Sequence, residues 1–444
     1  ATAESDWRNT GVSLKDISAT EFLGYTENNV SAAVLAIVAD GERKDFIEDG
    51  SEAALILDKT SFYAESGGQA GDSGAIRIGE SVFEVNNTTK DADGVILHHG
   101  VLSGDTVKVG DSAVASYCDC KRKATMRNHT AAHLLQAALR KTLGTHVEQA
   151  GQLVNSDILR FDFTHFAAVT AEELKRVEEM VNEQILSSVQ MLVKEMPIDE
   201  AKAMGAMALF GEKYGDTVRV VNAGGYSPEL CGGTHVENTG NIGLFKIVSE
   251  SSVASGVRRI EAVTGMNVMS YIDGKNALIK ETAAAIKAPN PNDIASKAAS
   301  VMADLKAKEK EIEKLSGVLA NIKTEAMLSN AQEIGGVMLV TAFLDDTTPD
   351  ELRNMCDLVK SKGENYVGVI GGVQKAKGTG NICTCCGKSA VACGAHAGNL
   401  AREVAKLAGG SGGGKPDSAM AGAKDVNALP EAIRKAEEIL SAML

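Results

Sequence analysis

The sequence predicts a multidomain α+β fold: a small β-barrel, an α+β domain, a helical coiled-coil arm and a small α/β domain, in that order. Three observations carry this reading. Short β-type runs alternate with Gly and Asp turns up to about residue 110, apolar residues recur every seven positions between Ala298 and Ala326, and strand-like and helix-like stretches alternate from about Gly335. A length of 444 residues suits about three domains, and a hydrophobic content of 44% is ample for their cores.

Residues 1–110 hold the runs AAVLAIVAD, AALILD, AIRIG, SVFEV, GVILHHG and DTVKVG, the spacing of a barrel or sandwich. Among them lies SFYAESGGQAGDSG. Gly67, Gly68, Gly71 and Gly74 permit tight turns, and Glu65, Gln69 and Asp72 are polar groups for contact, although a turn-rich barrel rim reads the same way. Residues 111–265 mix helix and strand. RFDF, TVRVV and GLFKIVSESSV read as strands, and Thr170 with Glu173 forms a capping box ahead of a helix. Residues 266–334 carry the heptad seam, in which Ala298, Leu305, Ile312, Leu319 and Ala326 are joined by Val301, Leu315 and Ile322; it reads as a coiled-coil arm or hairpin that either self-associates or packs on its neighbour. Residues 335–444 read as a small α/β domain interrupted by GGSGGGKPDSAMAG. That loop lacks P-loop spacing, which leaves a flexible linker or a backbone N–H contact to phosphate near Lys415.

Two residue pairs carry the chemistry. In HTAAHLLQAALRKTLG, His129 and His133 stand four apart in a helical pattern that Gly144 ends, so both imidazoles share one face. Thr130 follows the first histidine where a zinc protease needs Glu, which excludes that class. About a hundred residues later, SPELCGGTHVENTG offers Cys231 and His235 from a Gly- and Pro-rich turn. Together these give four nitrogen and sulfur donors, the set a tetrahedral zinc ion takes, drawn from two distant segments as in a cleft site rather than a finger. Cys383, Cys385, Cys386 and Cys393, with His396, are a weaker second cluster, because no CxxC spacing occurs and Cys383 and Cys385 fall on one face of a strand.

A net charge of −14 argues against general affinity for nucleic acid but permits local basic stretches such as KRKATMR, from Lys121 to Arg127. Eight irregularly spaced cysteines fit reduced thiols and a cytoplasmic location, and no apolar run or leader marks a membrane span or signal peptide. The opening ATAESDW, without methionine, is expected of a processed or truncated polypeptide.

FYAESGGQAGDSG, RNHTAAHLLQAALRKTLGTHVEQAGQLV, RFDF, ALFGEKYGD, ELCGGTHVENTGNIGLFKIVSES, GVRRIEAVTG and GGSGGGKPDSAMAGAK, in that order, resemble the editing and C-terminal domains of the alanyl-tRNA synthetase family, and also long free-standing alanyl-tRNA editing proteins. The resemblance runs from about Leu14 to the C-terminus and implies that the class II aminoacylation core is absent from this chain. It implies a zinc-dependent hydrolase clearing Ser-tRNA(Ala) and Gly-tRNA(Ala), with tRNA(Ala) as partner and a C-terminal domain for tRNA binding and homodimerisation. A non-catalytic tRNA-binding module and an unrelated zinc amidohydrolase are the competing readings.

An alanine pocket cannot sterically exclude glycine, and an apolar pocket rejects an added hydroxyl by only ~100-fold, so serine leaks through. A second site that hydrogen-bonds the hydroxyl removes that error, and Thr130 or Gln149 is the candidate for that contact. Gly232 and Gly233 are candidate oxyanion donors, and Arg258 and Arg259 are either phosphate contacts or a solvated basic pair. Zinc held by all four ligands would position substrate, whereas a loosely held Cys231 would leave a place for activated water.

Overall fold

The computed structural model describes residues 12–206, 215–374 and 377–444. They form two compact units, Ala1–Ile279 and Lys280–Leu444. Residues 208–214 of the ALFGEKYGD stretch lie outside the described residues.

The first unit opens with six antiparallel strands, β1 (Asn29–Ala39), β2 (Glu52–Leu57), β3 (Gly74–Ile78), β4 (Ser81–Lys90), β5 (Ile96–Ser103) and β6 (Ser112–Tyr117). They run in the order β6-β3-β4-β5-β2-β1, and β6 pairs back onto β1, with Ala113 opposite Ala32, so the barrel is closed. Alternation fills its interior: Phe83 and Val85 point inward on β4, Glu84 points out, and Leu55, Leu57, Ile76 and Leu102 complete the core.

Next comes α1 (Asp119–Leu143), a helix of 25 residues that starts ten residues before His129. The apolar stripe begins only at Leu134, and the earlier polar turns are held differently. Arg122, the second residue of the expected basic stretch, is buried against Asp72 of the barrel loop. After α1 come β7 (Gln149–Val154), β8 (Leu159–Thr164) and α2 (Ala171–Leu186). The capping box forms as expected, with the Glu173 N–H donating to Thr170 Oγ1 at 3.2 Å and the Thr170 N–H donating to Glu173 Oε2 at 2.9 Å. Three strands, β9 (Met191–Pro197), β10 (Thr217–Ala223) and β11 (Pro228–Leu230), form one small sheet; β12 (Phe245–Ala254) and β13 (Val257–Thr264) complete a second in the order β7-β8-β13-β12. Leu134, Leu135 and Leu139 of α1 pack with Phe161 and Phe163 of β8, Val177 and Val181 of α2, and Ile260 of β13.

In the second unit, α3 (Ile294–Leu328) is one continuous helix of 35 residues. The heptad pattern therefore yields a helix whose seam is uncovered within this chain over most of its length: Leu305, Ile312 and Leu319 are 52–64% exposed, and burial is confined to Ala320, Thr324 and Met327 near its end. The sheet that follows contains β14 (Gln332–Ile334), β15 (Val337–Asp345), β16 (Tyr366–Gln374), β17 (Thr379–Cys386), β18 (Ser411–Gly414) and β19 (Ser418–Ala423), in the order β14-β15-β16-β17-β19-β18. Helix α4 (Pro349–Ser361) makes the crossover between the parallel strands β15 and β16, and α5 (Ala397–Leu407) covers the sheet with Leu400, Ala401 and Val404.

The glycine-rich stretch is corrected from a linker to a hairpin, since β18 and β19 pair from Ser411–Gly422 to Gly414–Ala419. Small residues allow this. A Cβ on Gly398 of α5 would sit 2.4 Å from the Gly414 carbonyl oxygen, so only glycine lets the helix lie this close to the strand. Cys383 and Cys385 share one face, packed with Cys356, while Cys386 faces the other core. His396 caps α5 rather than joining those sulfurs, its Nδ1 accepting the Asn399 N–H at 3.3 Å. Among the described residues, no helix is long and apolar enough to cross a membrane.

Candidate metal centre

Helical spacing places His129 and His133 on one buried face of α1, and the turn after β11 carries Cys231 and His235 toward them. The two histidines of α1 are only 2% and 5% exposed. One ligand atom from each of the four residues lies within 4.8 Å of the others. Cys231 Sγ is 3.6 Å from His129 Nε2 and 3.3 Å from His235 Nε2. A tetrahedron with bonds of about 2.0–2.3 Å has edges of roughly 3.3–3.8 Å, so the two sulfur–nitrogen separations fit a single zinc-sized ion.

The imidazoles are aimed by partners on their far nitrogens. His129 Nδ1 lies 2.7 Å from Gln69 Oε1, and His235 Nδ1 lies 3.1 Å from Thr130 Oγ1. Glu229 Oε2 is 3.1 Å from His133 Nδ1, as an ion-pair contact without hydrogen-bond alignment. Each ring therefore has a partner at Nδ1 while its Nε2 is left for the centre, which is how metal-ligating histidines are usually held. Gln69 does more than orient one ring. Its Oε1 also accepts the Thr234 N–H and its Nε2 donates to Thr234 Oγ1, both at 2.9 Å, so the glycine-rich barrel loop grips both ligand segments.

Electrostatics favour a cation. Burial alone would push the Cys231 thiol up, but the charges of His129, His235 and His133 outweigh it and hold the thiol well below its usual value. Burial lowers His235 to about 3. Burial also works against the charged form of His133, yet Glu229 and then Cys231 raise it to about 9. A buried cysteine sulfur held toward the thiolate beside three imidazoles is a donor set suited to a metal ion, which would take the place of the His133 proton.

The turn that carries Cys231 is clamped by residues that the sequence reading missed. Arg219 Nη1 donates to the Cys231 and Gly233 carbonyl oxygens at 2.7 and 2.9 Å, its guanidinium lies 4.3 Å over the Tyr25 ring, and Tyr25 Oη donates to the Gly232 carbonyl. A cavity of about 420 Å³ runs beside this clamp, lined by Tyr25, Tyr117, Glu195, Arg219, Thr234 and His235. Glu229, two residues before Cys231, lay within the quoted motif; Arg219 and Tyr25 carry no local signal.

Of the other expected site residues, Thr130 and Gly233 touch the four donors. Thr130 is fully buried and engaged with His235 and the Val236 N–H, and the Gly233 N–H donates to Cys231 Sγ at 3.3 Å. Gly232 is exposed, and its carbonyl accepts from Tyr25 Oη. Gln149 begins β7 opposite Phe163, with no hydrogen bond to the cluster among the described residues. Arg258 and Arg259 are not a solvated pair: each makes two hydrogen bonds of 2.6 and 2.7 Å, to Glu250 and to Asp162 respectively. Lys415 is exposed at the β18–β19 turn.

The family model for the threonyl and alanyl tRNA synthetase second additional domain matches residues 218–261, which include Cys231 and His235. The DHHA1 domain model matches residues 336–442. An alanine–tRNA ligase of Acetivibrio thermocellus is 47% identical over 425 residues, 96% of this chain and 48% of that protein. The alanine–tRNA ligase of Bacillus subtilis is 43% identical over 435 residues, 98% of this chain and 49% of that protein. The chain belongs to the alanyl-tRNA synthetase family. It spans about half the length of the curated relatives it matches, and corresponds to the C-terminal portion of an alanyl-tRNA synthetase.

A solved structure, the C-Ala domain from Aquifex aeolicus alanyl-tRNA synthetase, matches 25% of this chain and 97% of that domain at 29% identity, with a TM-score of 0.23. The class II (A) tRNA synthetase model matches residues 3–122. The expectation that the class II portion is absent is therefore corrected. In the structure the described part of that match is the barrel and the first turn of α1, whose short strands and turns read from sequence as a separate small domain.

Proposed function

We propose that this chain is the editing portion of an alanyl-tRNA synthetase and hydrolyses the aminoacyl ester of Ser-tRNA(Ala) and Gly-tRNA(Ala) in the cytoplasm. The observation that carries the reading is the buried His129–His133–Cys231–His235 cluster, with Cys231 and His235 inside the match to the second additional domain. Residues 111–265 form the editing domain in this reading, supported by the barrel of 1–110; residues 266–334 link it to a tRNA-binding domain at 335–444. The exposed seam of α3 suits a homodimer contact.

Zinc, when bound by the four residues, supplies Lewis-acid polarisation or positioning at the ester. The chain's own groups do the rest. Gln69, Glu229 and Thr130 fix the three rings, so Thr130 is a positioning residue rather than the group that reads the serine hydroxyl. That leaves Gln149 for the hydroxyl, the contact by which a site rejects the analogue lacking it by ~10⁴-fold or more. Because the Gly233 N–H is engaged with sulfur, Gly232 is the backbone donor left for a developing oxyanion. With Arg258 and Arg259 neutralised by carboxylates, Lys415 is the expected tRNA contact that stays free.

Two experiments test this reading. His133→Ala removes one of four ligands and should lower both zinc stoichiometry and deacylation of Ser-tRNA(Ala) to background. Full zinc content in that variant would remove the ligand assignment, and tight tRNA binding without turnover in the unmodified chain would favour a binding module. Deleting residues 335–444 should weaken tRNA binding at least tenfold while single-turnover deacylation at saturating substrate is retained, because A-form RNA is read chiefly through backbone and 2′-hydroxyl contacts. Unchanged affinity would withdraw the RNA role of that domain.

A further inference from the structure

We propose that Cys118 and Cys120, at the N-terminal end of α1, form a reversible dithiol–disulfide site that exchanges with low-molecular-weight disulfides. Their sulfurs lie 3.1 Å apart, and both thiols are free, Cys120 exposed and Cys118 half-buried. No other cysteine combines these features. Cys231 belongs to the metal centre, Cys356, Cys383, Cys385 and Cys386 are buried, and Cys393 is exposed but has no hydrogen bond to another sulfur among the described residues. The site rests on none of the reasoning about ester hydrolysis.

The backbone presents the pair. Cys118 is the residue before the first helical turn, with φ −71° and ψ 103°, and only Asp119 separates it from Cys120. The Cys118 N–H donates to the Ser73 carbonyl at 2.7 Å and its own carbonyl accepts the Arg122 N–H at 2.9 Å, so the main chain is pinned on both sides. Closing the sulfurs to about 2.05 Å is then a side-chain movement of roughly 1 Å. Hydrogen bonding from Cys120, and then from the Lys121 N–H, holds the Cys118 thiol below its usual value, whereas Cys120 as donor is held above. The positive end of the helix dipole adds to the stabilisation of a thiolate at this end.

The exchange balances as follows. The Cys118 thiolate attacks one sulfur of a small disulfide RSSR, forming a mixed disulfide and expelling RS⁻. Cys120 gives its proton to that RS⁻ and attacks the Cys118 sulfur, forming the Cys118–Cys120 bond and expelling a second RS⁻, which takes up the proton that Cys118 had released. Two protein thiols are oxidised and one RSSR is reduced to two RSH, and excess RSH reverses both steps.

The test uses the full chain in glutathione buffers of graded oxidised-to-reduced ratio, followed by acid quenching, alkylation and peptide mass mapping. The expected product is an intramolecular Cys118–Cys120 disulfide, half-formed at an oxidised glutathione fraction at least tenfold lower than that which half-modifies Cys393, because the second thiol acts at an intramolecular effective concentration of roughly millimolar or more. Cys120→Ser should leave Cys118 with only a mixed glutathione disulfide and abolish the tenfold preference. If Cys118 and Cys120 stay alkylatable, or each carries glutathione at the ratio that modifies Cys393, the proposal is overturned.

Discussion

Gly233→Ala is expected to empty the metal centre and reduce deacylation to background. A Cβ at this position falls 2.0 Å from Cε1 and 2.4 Å from Nδ1 of His129, and 2.9 Å from Gln69 Oε1. Neither neighbour is a flexible tip: the His129 ring is 2% exposed and Gln69 is fully buried, tied to Thr234 through both ends of its amide. Relief must come from turning the ring, which takes Nε2 away from the other donors. Loss of second-layer support alone costs about 10–100-fold in metal affinity, and displacing a ligand should exceed that. Zinc content after dialysis against a chelator is the measurement. Gly232→Ala, whose Cβ would meet nothing within 4 Å, is the control and should keep its metal. Equal zinc retention by both variants would show that the turn moves aside and that the close approach has no role.

Arg122→Met should cost about 3–5 kcal/mol of stability, the usual loss when one partner of a buried ion pair is removed. Arg122 and Asp72 are 2% and 7% exposed. The guanidinium donates twice to Asp72 through Nε, and also to the Gly24 and Ser61 carbonyl oxygens at 2.7 and 2.9 Å, while lying 3.7 Å over the Tyr117 ring. Methionine fills the volume but donates nothing. It leaves a buried carboxylate with the Tyr63 N–H at 2.7 Å and two carbonyls without their donor. A lower urea midpoint for the first unit is the expected readout, partly recovered in Arg122→Met/Asp72→Asn, where the stranded charge is gone. A midpoint unchanged in the single variant would mean that water replaces the guanidinium and that the pair contributes little.

The four clustered donors, His129, His133, Cys231 and His235, were legible because their signal is local. Spacing of four on a helix and in a turn is visible in a few residues, as are the capping box at Thr170 and the alternation in RFDF. Gln69 and Tyr25 were not legible as parts of the centre, because they reach it through contacts separated by 60 and 207 residues in sequence. Arg219 was not, because its reach to the Cys231 and Gly233 carbonyls, 12 and 14 residues on, depends on the pairing of two strands rather than on a local pattern. The first turns of α1 were not legible for a related reason: they are secured by one buried arginine rather than by an apolar stripe. Strand β18 escaped notice because strands announce themselves by side-chain alternation, and Ser-Gly-Gly-Gly has almost none to show. The heptads of α3 identified a helix correctly, but a seam states only that it is apolar, never what covers it.

Gln69 joins the barrel to the ligands of the centre, and this bears on how the protein is assembled. Synthesis delivers Gln69 first, His129 and His133 next, and Cys231 and His235 about a hundred residues after that. An ion captured when the helix emerges meets two imidazoles without the thiolate, a poor site by number and by charge. Tight capture waits until the turn after β11 has folded onto both the helix and the barrel loop. Uptake of a metal at this centre would thus be a late event in the maturation of the first unit, and a bound ion would report that three separately made segments have found one another.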